Sequence, residues 1–395
     1  MFCKIERSYV QGMIDAALAA RHAFYELRVQ DATSKSTAAV EKIKGDTLNL
    51  DGVAETAAVG ELRRLDRDAT ILTEERGTDN NPFLIDGPTT VAGAKTFFCC
   101  DPFDRSKPAQ DFLVNCGLAG PRVGNIARDP KTTALWEEKY SGPMSITGPV
   151  TAITCVRRGL PIGSVIVNHF SQEIVVACPA GIFIKTLPED PTDYVDLNNI
   201  ICSGRRLSFC QPHRDRMKFV ATFIGKPERG YPDNFAKCRL IEDAELKNYL
   251  HYDNCGGPAR VLYLSDLQPS EQSVGLIVAN GEKISEWIHW ISFLRCANHH
   301  EDASAPALRL FEVTQQNSNF IDNMPMMPPI DYSIFTYLDP RHHTVTHIDA
   351  AKLQSLGNPS RYRATLVLVP FDNDWALTQV EKFGFREICL YKVQG

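Results

Sequence analysis

A short apolar run, Thr96-Phe97-Phe98, leads through Cys99-Cys100 into Asp101-Pro102-Phe103-Asp104-Arg105-Ser106. No other stretch constrains the chain as tightly. The run reads as a buried strand, and it must give way to a turn where proline stiffens the backbone between two carboxylates. A strand end of this kind aims both carboxylates and an intervening backbone carbonyl into one small volume. All of its donors are hard oxygens, which suit Mg²⁺ better than zinc. The plainer reading is a strand-to-helix turn in which Asp104 or Ser106 serves as the N-cap. On this short string alone the plainer reading is the stronger, so the rest of the chain has to decide.

Composition narrows the classes. The 395 residues are 44% hydrophobic and 23% charged, with a formal net charge of -6. That length allows two sub-domains or one large layered domain. A mildly acidic chain is a poor partner for a nucleic acid polymer or an anionic membrane surface. No apolar run reaches 18 residues and the first residues do not form a secretory leader, so the expected location is cytoplasmic. The twelve cysteines are scattered, with no CxxC pair, and read as small buried hydrophobes rather than disulfides or zinc ligands.

Helical spacing of Val10, Met13, Ile14, Ala17 and Leu18 predicts a long amphipathic helix from Ser8 to Val29. A second helix is expected from Asp51 to Leu65, with Asp51 as its N-cap. Residues Ala69 to Thr73 form an expected strand that ends on Glu74-Glu75, a pair of acids that repel unless a cation or arginine is close. Thr147–Val156, Gly163–Phe170, Ile174–Cys178 and Gly181–Phe183 read as an antiparallel meander. Farther on, strands are expected near Lys218–Phe223, Arg260–Leu264 and Val274–Val278, and helices over Lys283–Leu294 and Pro306–Val313. His342, His343 and His347 near Asp349 invite a zinc reading, which the surrounding hard carboxylates oppose. The chain is expected to end as strand Thr365–Pro370, helix Asp374–Phe383 and strand Glu387–Val393, a βαβ-like close that points to the α/β class.

In this order the segments resemble one family, the lithium-sensitive, Mg²⁺-dependent phosphatases of the inositol monophosphatase and fructose-1,6-bisphosphatase type. Four pieces carry the resemblance: Lys44-Gly45-Asp46 with Asp51 and Ala54-Glu55, then Thr73-Glu74-Glu75, then Asp101-Pro102-Phe103-Asp104-Arg105-Ser106 against DPIDGT, and Thr346-His347-Ile348-Asp349-Ala350-Ala351. Ala180-Gly181-Ile182-Phe183 and Ser304-Ala305-Pro306-Ala307-Leu308 match more loosely, the latter as a helix start. The resemblance covers residues 10 to 355 apart from the stretch after Phe183.

The resemblance implies a layered α-β-α-β-α sandwich of the sugar-phosphatase type. Residues 1–184 would be an N-terminal half carrying the Glu-Glu and DPFD motifs. Residues 185–395 would carry Asp349 and the substrate-selecting region. It further implies a phosphomonoesterase acting on a small phosphorylated polyol, sugar or nucleotide. Glu74, Glu75, Asp101, Asp104, Asp349 and the Phe103 carbonyl would hold two or three Mg²⁺ ions, with Mn²⁺ as a substitute. Asp51 and Ser106 would orient and deprotonate the attacking water, and Arg105, Ser106 and Ser304 would meet the substrate. Family members often form homodimers. The chain departs from the family where Arg105 replaces a glycine. Arginine there implies either a clamp on a second anionic group or a degenerate relative that binds a phosphorylated ligand or a protein partner.

Overall fold

The computed structural model describes residues 2–35, 47–73, 85–86, 95–140, 143–158, 160–190 and 193–207, and after them mainly strands. Helix α1 (Lys4–Glu26) starts where the Glu6 carboxylate accepts the Cys3 amide at 3.0 Å. Its apolar stripe (Val10, Met13, Ile14, Ala17, Phe24) is completely buried. After the short α2 (Val29–Ala32), α3 (Asn49–Leu65) packs along α1. The helices approach closely at Gly12, where a Cβ would collide with the Leu65 side chain. Both long helices lie within one or two turns of the expected bounds.

The first sheet holds eight strands: β1 (Thr70–Thr73), β2 (Ile85–Asp86), β3 (Thr96–Asp104), β4 (Val150–Arg157), β5 (Leu160–Asn168), β6 (Glu173–Cys178), β7 (Gly181–Thr186) and β8 (Arg205–Arg206). Their order is β2-β1-β3-β4-β5-β6-β7-β8, parallel only between β1 and β3. The expected meander is therefore present as β4 to β7, although Met144–Thr147 is a short helix and not the start of a strand. Residue 184, where the two halves were expected to divide, lies within β7, and the sheet is completed only at Arg206.

Side chains alternate across this sheet. Phe98, Cys100, Ile153, Cys155 and Val165 face α1 and α3 and form one core with them. Each large side chain there contributes about 1.5–3 kcal/mol by leaving water. Further described helices are α4 (Ser106–Asn115), α5 (Val123–Ala127), α6 (Thr132–Tyr140), α7 (Met144–Thr147) and α8 (Leu197–Ser203), whose Phe112, Ile126, Trp136, Met144 and Ile200 join the same core. The opposite face carries Thr154 and Ser164. There the Thr154 hydroxyl is 2.5 Å from Nδ1 of His289, a buried helical residue of the second half.

A second sheet combines β9 (Phe219–Ile224), β10 (Leu250–Tyr252), β11 (Leu276–Glu282), β12 (Leu308–Val313), β15 (Ala364–Pro370) and β16 (Phe385–Ile388), in the order β10-β9-β11-β15-β12-β16. A separate hairpin pairs β13 (Phe335–Tyr337) with β14 (Thr346–Ile348), and β14 approaches β5. The described residues thus make a mixed α/β protein with an eight-stranded sheet, a six-stranded sheet and a separate hairpin.

Residues 308–313 are a correction. The expected helix over Pro306–Val313 is the strand β12, held between β15 and β16 with Phe311 opposite Val367 and Glu387. Leu-Arg-Leu-Phe-Glu-Val suits a half-buried strand as well as a helix, and pairing on both sides decides between them. The closing strands β15 and β16 are both antiparallel to β12, which sits between them, so they run parallel to each other as the βαβ-like reading requires. The expected strand at Arg260–Leu264 lies outside the described residues.

Candidate active site

At the end of β3 the ladder to β4 slips. Asp101 stands opposite Ala152 and Asp104 opposite Val150, so three steps on β3 match two on β4. This extra residue is a β-bulge. In a regular strand, residues three apart point to opposite faces. The bulge cancels that alternation and brings Asp101 and Asp104 to one face, the face that carries Thr154, Ser164 and the contact with His289. Asp101 is 2% exposed and Asp104 partly exposed, so the pair runs from the interior toward a surface.

Phe103, inside the bulge, points the other way. Phe103 packs on Phe24 with ring centroids 4.7 Å apart and stacks on His169 at 4.5 Å, nearly parallel. The Asp101 carboxylate accepts the Phe103 amide at 3.2 Å. Below them the buried Thr151 hydroxyl donates to the Pro102 carbonyl at 2.7 Å and lies 3.1 Å from His169 Nε2. Thr151 and His169 thus support the bulge from beneath. Neither carries a signal in the sequence, because each sits in an apolar β-rich stretch with no motif around it.

Acid also reaches this strand end from α3. Asp51 and Glu55, one helical turn apart, are both buried, at 3% and 0% exposure. Asp51 is not the N-cap. It occupies the third helical position, and its carboxylate accepts the Leu48 amide at 3.1 Å. Burial pushes the Cys100 thiol far above the usual thiol range, and the neighbouring Asp101 and Glu55 charges push it further. Cys100 therefore remains a protonated, unreactive core residue, as expected of a scattered thiol. Of the other described cysteines, Cys99, Cys155, Cys178 and Cys296 are buried as well. Among the described residues, Glu55 is a buried acid near the site that the sequence reading gave no role. Its spacing from Asp51 was the available signal.

Strand β1 ends at Thr73, which pairs with Cys100, the residue before Asp101. Glu74, Glu75, Ser304, His342, His343 and Asp349 lie outside the described residues. Among the described residues no group of three or more His, Cys, Asp and Glu could by itself hold a metal ion. The described part of the implied ligand set is therefore Asp101, Asp104 and the Phe103 carbonyl, all hard oxygens.

Between β3 and α4 the chain turns at Arg105, which has φ 70° and ψ 37°, the left-handed region. The helix begins at once with Ser106, and neither Asp104 nor Ser106 is its N-cap; Arg105 is, without a capping hydrogen bond from its side chain. The Arg105 guanidinium donates to the Thr147 carbonyl and lies over the rings of Trp136 (5.8 Å) and Tyr140 (5.7 Å). Trp136 in turn donates from its indole to the Thr147 hydroxyl at 2.9 Å, and Tyr140 donates to the Pro108 carbonyl in the first turn of α4 at 2.7 Å.

Fold and site together describe a layered α/β protein that presents a pair of carboxylates at a bulged strand end, directly before a helix N-terminus. Similar solved structures include CysQ from Bacteroides thetaiotaomicron, described as a bacterial member of the inositol monophosphatase family. It is 13% identical, with 92% of this chain and 97% of that chain covered and a TM-score of 0.48. SuhB from Mycobacterium tuberculosis is 10% identical over 97% of each chain, with a TM-score of 0.48. An inositol monophosphatase from Anabaena (Nostoc) is 12% identical over 94% and 95% of the two chains, with a TM-score of 0.44. No protein-family model matches the sequence, and no curated protein does. At such identities and TM-scores, the residues themselves have to carry any functional reading. No helix among the described residues is long and apolar enough to cross a membrane.

Proposed function

We propose that this chain is a metal-dependent phosphomonoesterase acting on a small phosphorylated polyol, sugar or nucleotide. The observation that supports this reading is the β3 bulge, which turns Asp101 and Asp104 to one face although their spacing in a regular strand would separate them. Burying a carboxylate costs several kcal/mol unless a cation or hydrogen bonds compensate. A strand end that gathers acids in this way suits a divalent ion with hard-oxygen ligands.

In this reading Asp101, Asp104 and the Phe103 carbonyl hold Mg²⁺, with Glu74, Glu75 and Asp349 completing sites for two or three ions. Mn²⁺ would serve as a substitute. Glu74 follows Thr73 in the sequence, and Thr73 pairs with Cys100, the residue before Asp101. Asp349 follows β14, the strand that approaches β5. Bound Mg²⁺ supplies charge neutralisation at the phosphate oxygens and lowers the pKa of a coordinated water.

The chain's own groups do the rest. The amides of Ser106 and Lys107, at the positive end of α4, face the phosphate. The Ser106 hydroxyl orients the attacking water and the Asp51 carboxylate accepts its proton. The rate gain expected from this arrangement lies in positioning and charge neutralisation, which phosphoryl transfer needs most.

The test is phosphate release from a panel of sugar, polyol and nucleotide monophosphates, with Mg²⁺ and with chelator. Activity that requires Mg²⁺ and falls at least about 100-fold in Asp101→Asn is expected. A protein that releases no phosphate from any member of the panel, or an Asp101→Asn variant as active as the parent, overturns the proposal.

A further inference from the structure

The residue that departs most from the resemblance is also one of three described residues other than glycine with a positive φ, with Arg158 and Gln172. Residues with a side chain avoid the left-handed region, because Cβ crowds the following carbonyl, and glycine normally fills such positions. Arg105 is held there nonetheless, at the point where β3 turns into α4. Its side chain does not extend away from the turn. It runs back to α6 and α7, where the guanidinium donates to the Thr147 carbonyl and covers Trp136 and Tyr140. These partners are themselves fixed. Trp136 is fully buried and bonded to Thr147, while Tyr140 is bonded to the first turn of α4.

We propose that Arg105 is a positioning residue of the β3–α4 turn, its guanidinium anchored on Thr147 and the α6 rings so that an otherwise unfavourable backbone conformation is maintained. The anchor does what glycine would do by conformational freedom. It fixes the angle between Asp104 and the first amides of α4. A guanidinium committed to a backbone carbonyl and two rings is a poor candidate for a clamp on the substrate. The inference rests on the phosphatase reading only for its kinetic readouts.

Three variants test it: Arg105→Ala keeps a Cβ and removes the anchor, Arg105→Gly removes both, and Arg105→Lys keeps the charge without the planar fork. Thermal unfolding is expected to rank Arg105→Gly above Arg105→Ala. With Mg²⁺ and p-nitrophenyl phosphate, Arg105→Ala is expected to lose about tenfold or more in kcat with KM changed by less than about threefold, and Arg105→Gly to recover most of that kcat. Arg105→Lys is expected to behave like Arg105→Ala. Equal melting temperatures for the alanine and glycine variants overturn the proposal. So does a KM raised about tenfold in both at unchanged kcat, which is the signature of a clamp. If the parent releases no phosphate, the phosphatase reading fails, and the anchor is still decided by melting, with the parent expected above Arg105→Ala and a parent no more stable than Arg105→Ala overturning it.

Discussion

Replacing Thr151 by valine tests whether the bulge is held from below. The side chains have nearly the same shape, so no cavity forms and the change removes only the hydroxyl. That hydroxyl donates to the Pro102 carbonyl at 2.7 Å inside the bulge and meets His169 Nε2 at 3.1 Å, at a position with no solvent exposure. One buried neutral hydrogen bond contributes about 1 kcal/mol, and taking the donor away from a buried acceptor adds about 1–3 kcal/mol of lost solvation. The expected loss is therefore about 2–4 kcal/mol, read as a lower midpoint in urea unfolding at an unchanged slope. Thr151→Ser keeps the hydroxyl and loses one methyl group, which should cost about 1 kcal/mol. The serine variant should also keep more of any Mg²⁺-dependent kcat, because the Phe103 carbonyl and both aspartates depend on the shape of the bulge. A valine variant within about 0.5 kcal/mol of the parent, or a serine variant less stable than the valine one, would refute this reasoning.

Two other expectations are simpler to check. Burial raises the Asp15 carboxyl, Gln11's hydrogen bond draws it back, and the Glu61 charge adds to the rise. A raised folded-state value means that folding favours the protonated form, so this contribution is present in acid and is lost as pH climbs through the folded-state value. Asp15→Asn should therefore match the parent near pH 3 and become progressively more stable than it toward pH 7. A constant difference across that range would refute the assignment. Thiol mapping by mass spectrometry should label the exposed Cys3 and Cys202 first. Cys100 and Cys155, their thiols held protonated chiefly by burial, should stay unlabelled at pH 8 until the protein unfolds. Labelling of Cys100 in the folded protein would contradict the packing of β3.

The sequence made much of this architecture legible. The helical spacing of α1 and α3, the meander from β4 to β7 and the break at Asp101 are all local patterns, and local patterns survive in a one-dimensional reading. Asp101 and Asp104 were visible as a pair, but their shared face was not. It depends on a slip against β4, whose residues lie some fifty positions later. Asp51 was placed one turn too early in its cap, because the chain enters α3 through Leu48 and uses Asp51 to hold that residue's amide. The strand β12 was mistaken for a helix since six residues of mixed polarity fit both periods, and only its neighbours β15 and β16 settle the matter. The anchoring of Arg105 by Trp136 and Tyr140, like the support of the bulge by Thr151 and His169, joins segments distant in the chain with no repeated spacing. Tertiary packing alone creates such contacts.

The central claim is that the bulged end of β3 is a divalent-cation site. Crystals soaked in Mn²⁺ and measured at its absorption edge test it most directly. The account predicts an anomalous peak within about 2.0–2.3 Å of carboxylate oxygens of both Asp101 and Asp104, with the Phe103 carbonyl as a further ligand. Crystals saturated with Mn²⁺ that show no peak between these two side chains would contradict it.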